Sequence, residues 1–150
     1  MHRRTFLKYA AAAVTLTAGG LTRISQAVAA TWNKGGFESK AAVDAIKSLG
    51  AANAADSSAI VITAPEIAEN GAVVPVEVLS KIPNTQSISI IAEKNPFPLA
   101  ATLELTNGAE PYAYVRIKMG QTSNLRAIVK AGDKYFTAVK EVKITVGGCG

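Results

Sequence analysis

The chain has 150 residues, with sixteen Lys and Arg against eleven Asp and Glu, one His and one Cys. Four of the basic residues (Arg3, Arg4, Lys8 and Arg23) fall in the first 29 positions, which hold no acid, so the rest carries twelve basic against eleven acidic side chains. A nearly neutral body has no electrostatic footprint for nucleic acid. The only histidine is His2, so Ser-His-Asp catalysis, Cys-His catalysis and multi-ligand zinc sites cannot be assembled from the remainder of the chain.

The N-terminus reads as an export signal over residues 1–29. Arg3-Arg4-Thr5-Phe6-Leu7-Lys8 resembles a twin-arginine motif, followed by an Ala-rich apolar stretch and small residues suited to cleavage near Ala29. The apolar run is about thirteen residues, short of the ~20 needed to span a membrane. A folded, periplasmic product without a membrane anchor is the expectation. The twin-arginine route carries folded cargo, and the mature chain offers few means of holding a cofactor. A second subunit lacking its own signal is the alternative reason for that route.

Residues 30–145 are expected to form one domain. Phe37, Ala41, Ala42, Ile46 and Leu49 recur at helical spacing, predicting one amphipathic helix over about 37–49 with Gly50 as its cap. The period then changes to two. Ile60–Thr63 is a short apolar run. Asn70-Gly71 signals a turn into Val74, Val76 and Val78, where Pro75 implies an edge or bulged strand. Alternation returns at Ser87–Ile90, Thr102–Thr106, Tyr114–Met119, Leu125–Val129 and Tyr135–Val146, with Asn95-Pro96-Phe97-Pro98 and Asn107-Gly108 as breaks. About seven short strands with turn residues between them predict an all-β, immunoglobulin-like antiparallel sandwich with one N-terminal helix. Tyr112, Tyr114, Tyr135 and Phe136 are read as core or sheet-face residues. The carboxylates Glu66, Glu69, Glu77, Glu93, Glu104 and Glu110 are read as a solvated face.

The last strand runs into Gly147-Gly148-Cys149-Gly150, predicted as a flexible arm over residues 146–150. Glycine lacks a Cβ and samples both signs of φ, so Gly147 and Gly148 make a swivel. Three residues separate Cys149 from Val146, a reach of roughly 10 Å. With only hydrogens as neighbouring side chains, this tail is thin enough for a narrow channel. An unperturbed thiol is only a few per cent thiolate near pH 7, and the adjacent terminal carboxylate disfavours thiolate further. Activation of Cys149 is therefore expected inside a partner's site. No cofactor and no catalysis of its own are expected.

Three segments resemble the SoxY family, the sulfur-carrying subunits of the periplasmic thiosulfate-oxidising Sox system. They are Glu69-Asn70-Gly71-Ala72-Val73-Val74-Pro75-Val76, Asn95-Pro96-Phe97-Pro98 and the closing Val142-Lys143-Ile144-Thr145-Val146-Gly147-Gly148-Cys149-Gly150, all behind a twin-arginine leader. Members usually end in two glycines after the cysteine, where this chain has Gly150 alone. The resemblance implies a heterodimer with SoxZ, a second small β-sandwich protein without its own signal. It also implies Cys149 as the covalent attachment point. The haem protein SoxXA would load thiosulfate there, the metal-dependent hydrolase SoxB would release sulfate, and SoxCD, where present, would oxidise the remaining sulfur. The competing expectation is an exported immunoglobulin-like structural module that dimerises through Cys149.

Overall fold

The computed structural model describes residues 32–145, apart from position 107. Its first elements are two short helices, α1 (Lys34–Glu38) and α2 (Ala42–Ser48). They replace the single helix expected over 37–49. The break lies at Ser39 (φ −61°, ψ 136°) and Ala41 (φ −121°, ψ 138°), both extended. The Asn33 side chain explains the arrangement. Its carbonyl accepts from Gly36 N at 3.0 Å, capping α1, while its amide donates to Ser48 O at 3.1 Å, tying the start of α1 to the end of α2. Gly36 is buried where a Cβ would lie 2.7 Å from Ser48 Oγ and 2.9 Å from Leu99 Cδ2. Only glycine lets the two helices and the strand beneath approach this closely. Gly50 ends α2 with φ +77°, in keeping with its expected role as a cap.

Nine strands follow among the described residues: β1 (Ala55–Asp56), β2 (Ile60–Thr63), β3 (Ile67–Ala68), β4 (Val74–Ser80), β5 (Thr85–Ala92), β6 (Leu99–Glu104), β7 (Tyr112–Ile117), β8 (Ser123–Ala131) and β9 (Lys134–Ile144). The larger sheet runs β1-β9-β8-β5-β6, with β3 also on β9, and the smaller runs β2-β4-β7. The fold is an all-β sandwich with a helical layer on one face.

Alternation builds the core. Val74, Val76 and Val78 of β4 are fully buried, and they meet Ile88, Ile90, Leu125, Ala127, Val129 and Val142 from the larger sheet. Each large apolar side chain among them stabilises the fold by about 1.5–3 kcal/mol on burial. The opposite face of the larger sheet is also covered. Ile91, Leu99 and Ile128 pack beneath Ala45, Ala51, Phe37 and Ile46, forming a second apolar cluster with Tyr135. This explains why Ile90-Ile91 breaks strict alternation: β5 is buried on both sides.

Pro75, expected on an edge or bulged strand, lies instead in β4, the middle strand of its sheet. The ladder to β2 covers only Glu77 to Ser80, however, so Pro75 pairs with Arg116 of β7 alone. Locally it stands at an edge, where a missing donor is tolerated. Of the aromatics, Phe136 packs partly against the core, whereas Tyr112 and Tyr114 are exposed on the outer face of the smaller sheet. Among the described residues, no helix is long and apolar enough to cross a membrane.

The longest strand, β9, is held on its outer edge by two short parallel strands. β1 pairs at Phe136 and Thr137, and β3 pairs at Lys143 and Ile144. Between them the chain swings across as β2 into the other sheet, where Ile60 pairs with Ser80 and Thr63 with Glu77. One segment therefore stitches both sheets together along the strand that leads to the C-terminus.

Candidate functional site

Cys149, Gly147, Gly148 and Gly150 lie outside the described residues, as do Arg3 and Arg4 of the leader and the junction at Ala29. The structure does describe the platform from which the last residues leave. Lys143 N donates to Glu66 O at 2.9 Å and Thr145 N to Ala68 O at 3.2 Å, continuing the β3 pairing to the last described residue. On the other side, Ile144 N donates to Thr122 Oγ1 at 2.9 Å. Cys149 is four residues beyond Thr145, so its farthest reach is roughly 14 Å.

Three loops close around this point. Met119 N donates to Gly71 O at 2.7 Å, joining the loop before β4 to the loop before β8. Gly71 also sits against β9: a Cβ there would lie 3.0 Å from Ile144 Cγ2. The third loop, between β5 and β6, is attached through Asn95. Its amide donates to Lys118 O at 2.6 Å and its carbonyl accepts from Gly120 N at 3.3 Å. Gln121 Nε2 adds a bond to Lys94 O at 3.3 Å, and Lys94 N donates to Ser123 Oγ at 3.0 Å. Polar side chains thus tie backbone to backbone, with each bond contributing about 0.5–1.5 kcal/mol.

This arrangement gives the two internal motif segments a common place. Asn70-Gly71 and Asn95-Pro96-Phe97-Pro98, some 25 positions apart in the chain, both brace the root of the C-terminal segment. In the sequence each reads as a turn, with no sign that they share one end of the sandwich. Nothing in their periodicity says so, because the bonds run between loops.

Chemically, the platform offers support and no reactive cluster. Among the described residues, no group of three or more His, Cys, Asp or Glu side chains could hold a metal ion. The carboxylates singled out in the sequence are exposed at Glu66, Glu69, Glu104 and Glu110. Glu93 is partly buried and accepts from Arg126 Nε and Nη2, both at 2.8 Å, and from Asn124 Nδ2 at 3.1 Å. Two groups on β7 depart from their ordinary proton affinities. Desolvation, followed by the negative charge of Glu77, pushes the Tyr112 phenol above its usual value. A hydrogen bond to Tyr114, whose hydroxyl accepts from Arg116 Nε at 3.3 Å, holds the Arg116 guanidinium more firmly protonated.

The chain matches the family model "Sulfur oxidation protein SoxY" over residues 46–149, an interval that starts inside α2 and ends on Cys149. No curated protein sequence matches it. Among solved structures it is similar to the sulfur carrier protein SoxY from Chlorobium limicola f thiosulfatophilum. That likeness has 41% identity and a TM-score of 0.64, covering 71% of this chain and 94% of the other. A family match over more than two-thirds of the residues and a shared fold at this identity agree, and the chain belongs to the SoxY family of sulfur-oxidation carrier proteins.

Proposed function

We propose that this protein carries sulfur-oxidation intermediates covalently on Cys149 in the periplasm and presents them to enzymes that act on them. The observation that carries the reading is the family match, which runs through the sole cysteine of the chain. The fold supports it in a second way. The backbone from β9 to Thr145 is bonded on both sides, so the residues that lead on to Cys149 start from a fixed base.

Loading joins the Cys149 sulfur to the outer sulfur of thiosulfate. Both sulfurs lose one electron in forming the S–S bond, the thiol proton goes to solvent, and the two electrons pass to a haem partner of the SoxXA type. The product is Cys–S–S–SO3⁻. Water then attacks the sulfonate in a hydrolase of the SoxB type, releasing sulfate and a proton and leaving a persulfide on Cys149. A SoxCD-type dehydrogenase, where present, would convert the outer sulfur to a sulfonate, taking three oxygens from water and passing six electrons to its own acceptor with release of protons. A second hydrolysis would then release sulfate and return the Cys149 thiol. Catalysis belongs to these partners, and this chain supplies the thiol and its geometry. Tethering keeps each intermediate at high local concentration between sites. Export in the folded state by the twin-arginine route suits a stable pair with a SoxZ subunit.

Intact-mass spectrometry on protein recovered from thiosulfate-grown cells tests the reading. Reducible adducts of persulfide and thiosulfonate mass on the C-terminal peptide are expected, and Cys149→Ser abolishes them. A symmetric disulfide that does not depend on thiosulfate would replace the carrier role with a structural, dimerising one.

A further inference from the structure

Trp32 and Asn33 are bent back onto the body. Trp32 O accepts from Lys34 N at 2.9 Å, and Asn33 (φ −79°, ψ 72°) forms the inverse γ-turn that this bond closes. The Trp32 ring lies flat on Phe37, with centroids 4.3 Å apart and planes 6° from parallel. Phe37 in turn packs into the second apolar cluster with Leu99 and Ile128. Asn33 also ties this end of α1 to Ser48. The junction expected at Ala29 leaves only Ala30 and Thr31 ahead of the bend, a reach of roughly 7 Å.

Resting on the reading of folded export above, we propose that Trp32, Asn33 and α1 form a latch that slows removal of the leader from the folded chain. Hydrolysis of the Ala29–Ala30 amide consumes one water and leaves a carboxylate on the leader and an amino group on Ala30. An endopeptidase that performs it holds its substrate as an extended strand on both sides of the bond. Continuing that strand through Trp32 and Asn33 breaks the γ-turn, the ring stack and the bond to Ser48. A chain exported already folded meets the peptidase in the closed form, so cleavage proceeds from the fraction in which α1 has opened. The helix is suited to opening alone: it has five residues, and helices this short have little stability of their own. When it recloses faster than the peptidase cuts, the rate follows the open population. Departure of the leader is therefore set by local stability at α1 as well as by the sequence at the junction.

The test follows cleavage of the folded full-length precursor by a membrane-bound leader peptidase in detergent micelles, in three versions. The first is wild type. The second carries Gly36→Ala, whose Cβ would stand 2.7 Å from Ser48 Oγ and 2.9 Å from Leu99 Cδ2 and so pushes α1 off the body. The third has Gly-Ser-Gly-Ser inserted between Thr31 and Trp32, which adds slack without touching a packed residue. Both altered precursors are expected to lose the leader about ten-fold faster than wild type. Peptides of residues 20–40 with and without Gly36→Ala are expected to be cut at one rate, since that position lies seven residues beyond the junction. Should Gly36→Ala unfold the whole chain, read from its urea midpoint, the insertion alone decides. Equal rates for the wild-type and inserted precursors overturn the latch and leave the export and carrier readings intact. So does a mature N-terminus mapped well upstream of Ala30, which would give the peptidase slack already. If neither precursor nor peptide is cut, the latch falls together with the leader, and the carrier reading still stands or falls on its own mass measurement.

Discussion

Gly71 and Met119 meet backbone to backbone: Met119 N donates to Gly71 O at 2.7 Å, and a Cβ on Gly71 would stand 2.4 Å from Met119 O. This contact locks the loop before β4 to the loop before β8, directly beside Ile144. Space at Gly71, with no positive φ involved, is what excludes a side chain there. Gly71→Ala is expected to destabilise the fold by about 1–3 kcal/mol, the cost of forcing packed backbones apart. A lowered urea midpoint with an unchanged slope is the signature.

Thr122 has a more local effect. Its hydroxyl accepts from Ile144 N, one residue before the last one described. Thr122→Val keeps the shape and removes the acceptor, with an expected loss of about 1 kcal/mol. Amide exchange at Ile144 should accelerate while Val129 and Ile90 keep their protection. Equal acceleration throughout would mean that β9 does not open separately at its end.

The Glu93–Arg126 pair joins the end of β5 to β8, and Arg126 Nη1 continues to Thr137 Oγ1 on β9 at 3.3 Å. The Arg126 and Glu93 side chains are 26% and 22% exposed, intermediate between a screened surface pair and a buried one. Arg126→Ala is expected to cost about 1–2 kcal/mol by leaving Glu93 partly desolvated. A double-mutant cycle with Glu93→Ala should recover up to about 1 kcal/mol as coupling.

Ile90 lies at the centre of the core with almost no exposure. Ile90→Ala should cost about 2–5 kcal/mol, and Ile90→Val about 0.5–1.5 kcal/mol. Thermal melts of the two variants rank them.

Tyr112 contributes to how stability changes at alkaline pH. Its phenol holds its proton longer in the folded chain than in the unfolded one, through desolvation and then Glu77. As pH rises past the ordinary tyrosine value near 10.0, the unfolded state therefore deprotonates first and is favoured. The associated stability is complete below that value and lost above it. Urea midpoints measured from about pH 8 to 11 should fall less steeply for Tyr112→Phe.

The sandwich is legible in the sequence because Val74, Val76 and Val78, and likewise Ile88 and Ile90, sit on a period of two that burial enforces. Ile60–Thr63 falls where the sequence puts it, bounded by a polar loop and Pro65. The helical region reads as continuous because no proline or glycine interrupts residues 37–49. The break depends instead on the Asn33 side chain reaching Ser48, fifteen positions away. Asn33 ahead of Lys34-Gly35-Gly36 is the available signal, as a capping residue with two glycines behind it. β1 and β3 are not legible at all. Two residues carry no period, and their pairing is set by β9, some eighty positions further along. Cys149 stands out in the sequence as the chain's one Cys, and it lies outside the described residues. The clustering of Gly71, Asn95 and Thr122 near the end of β9 has no sign in the sequence, since it consists of contacts between distant loops.

The nine residue pairs between β8 and β9, from Ser123 with Val142 to Ala131 with Lys134, form one ladder whose rungs cross the strand axis. Tension applied along the axis of β9 therefore acts as shear, loading the whole ladder simultaneously where a perpendicular pull would unzip it rung by rung. Force along that axis is shared by all nine pairs, and the strand resists peeling from its end.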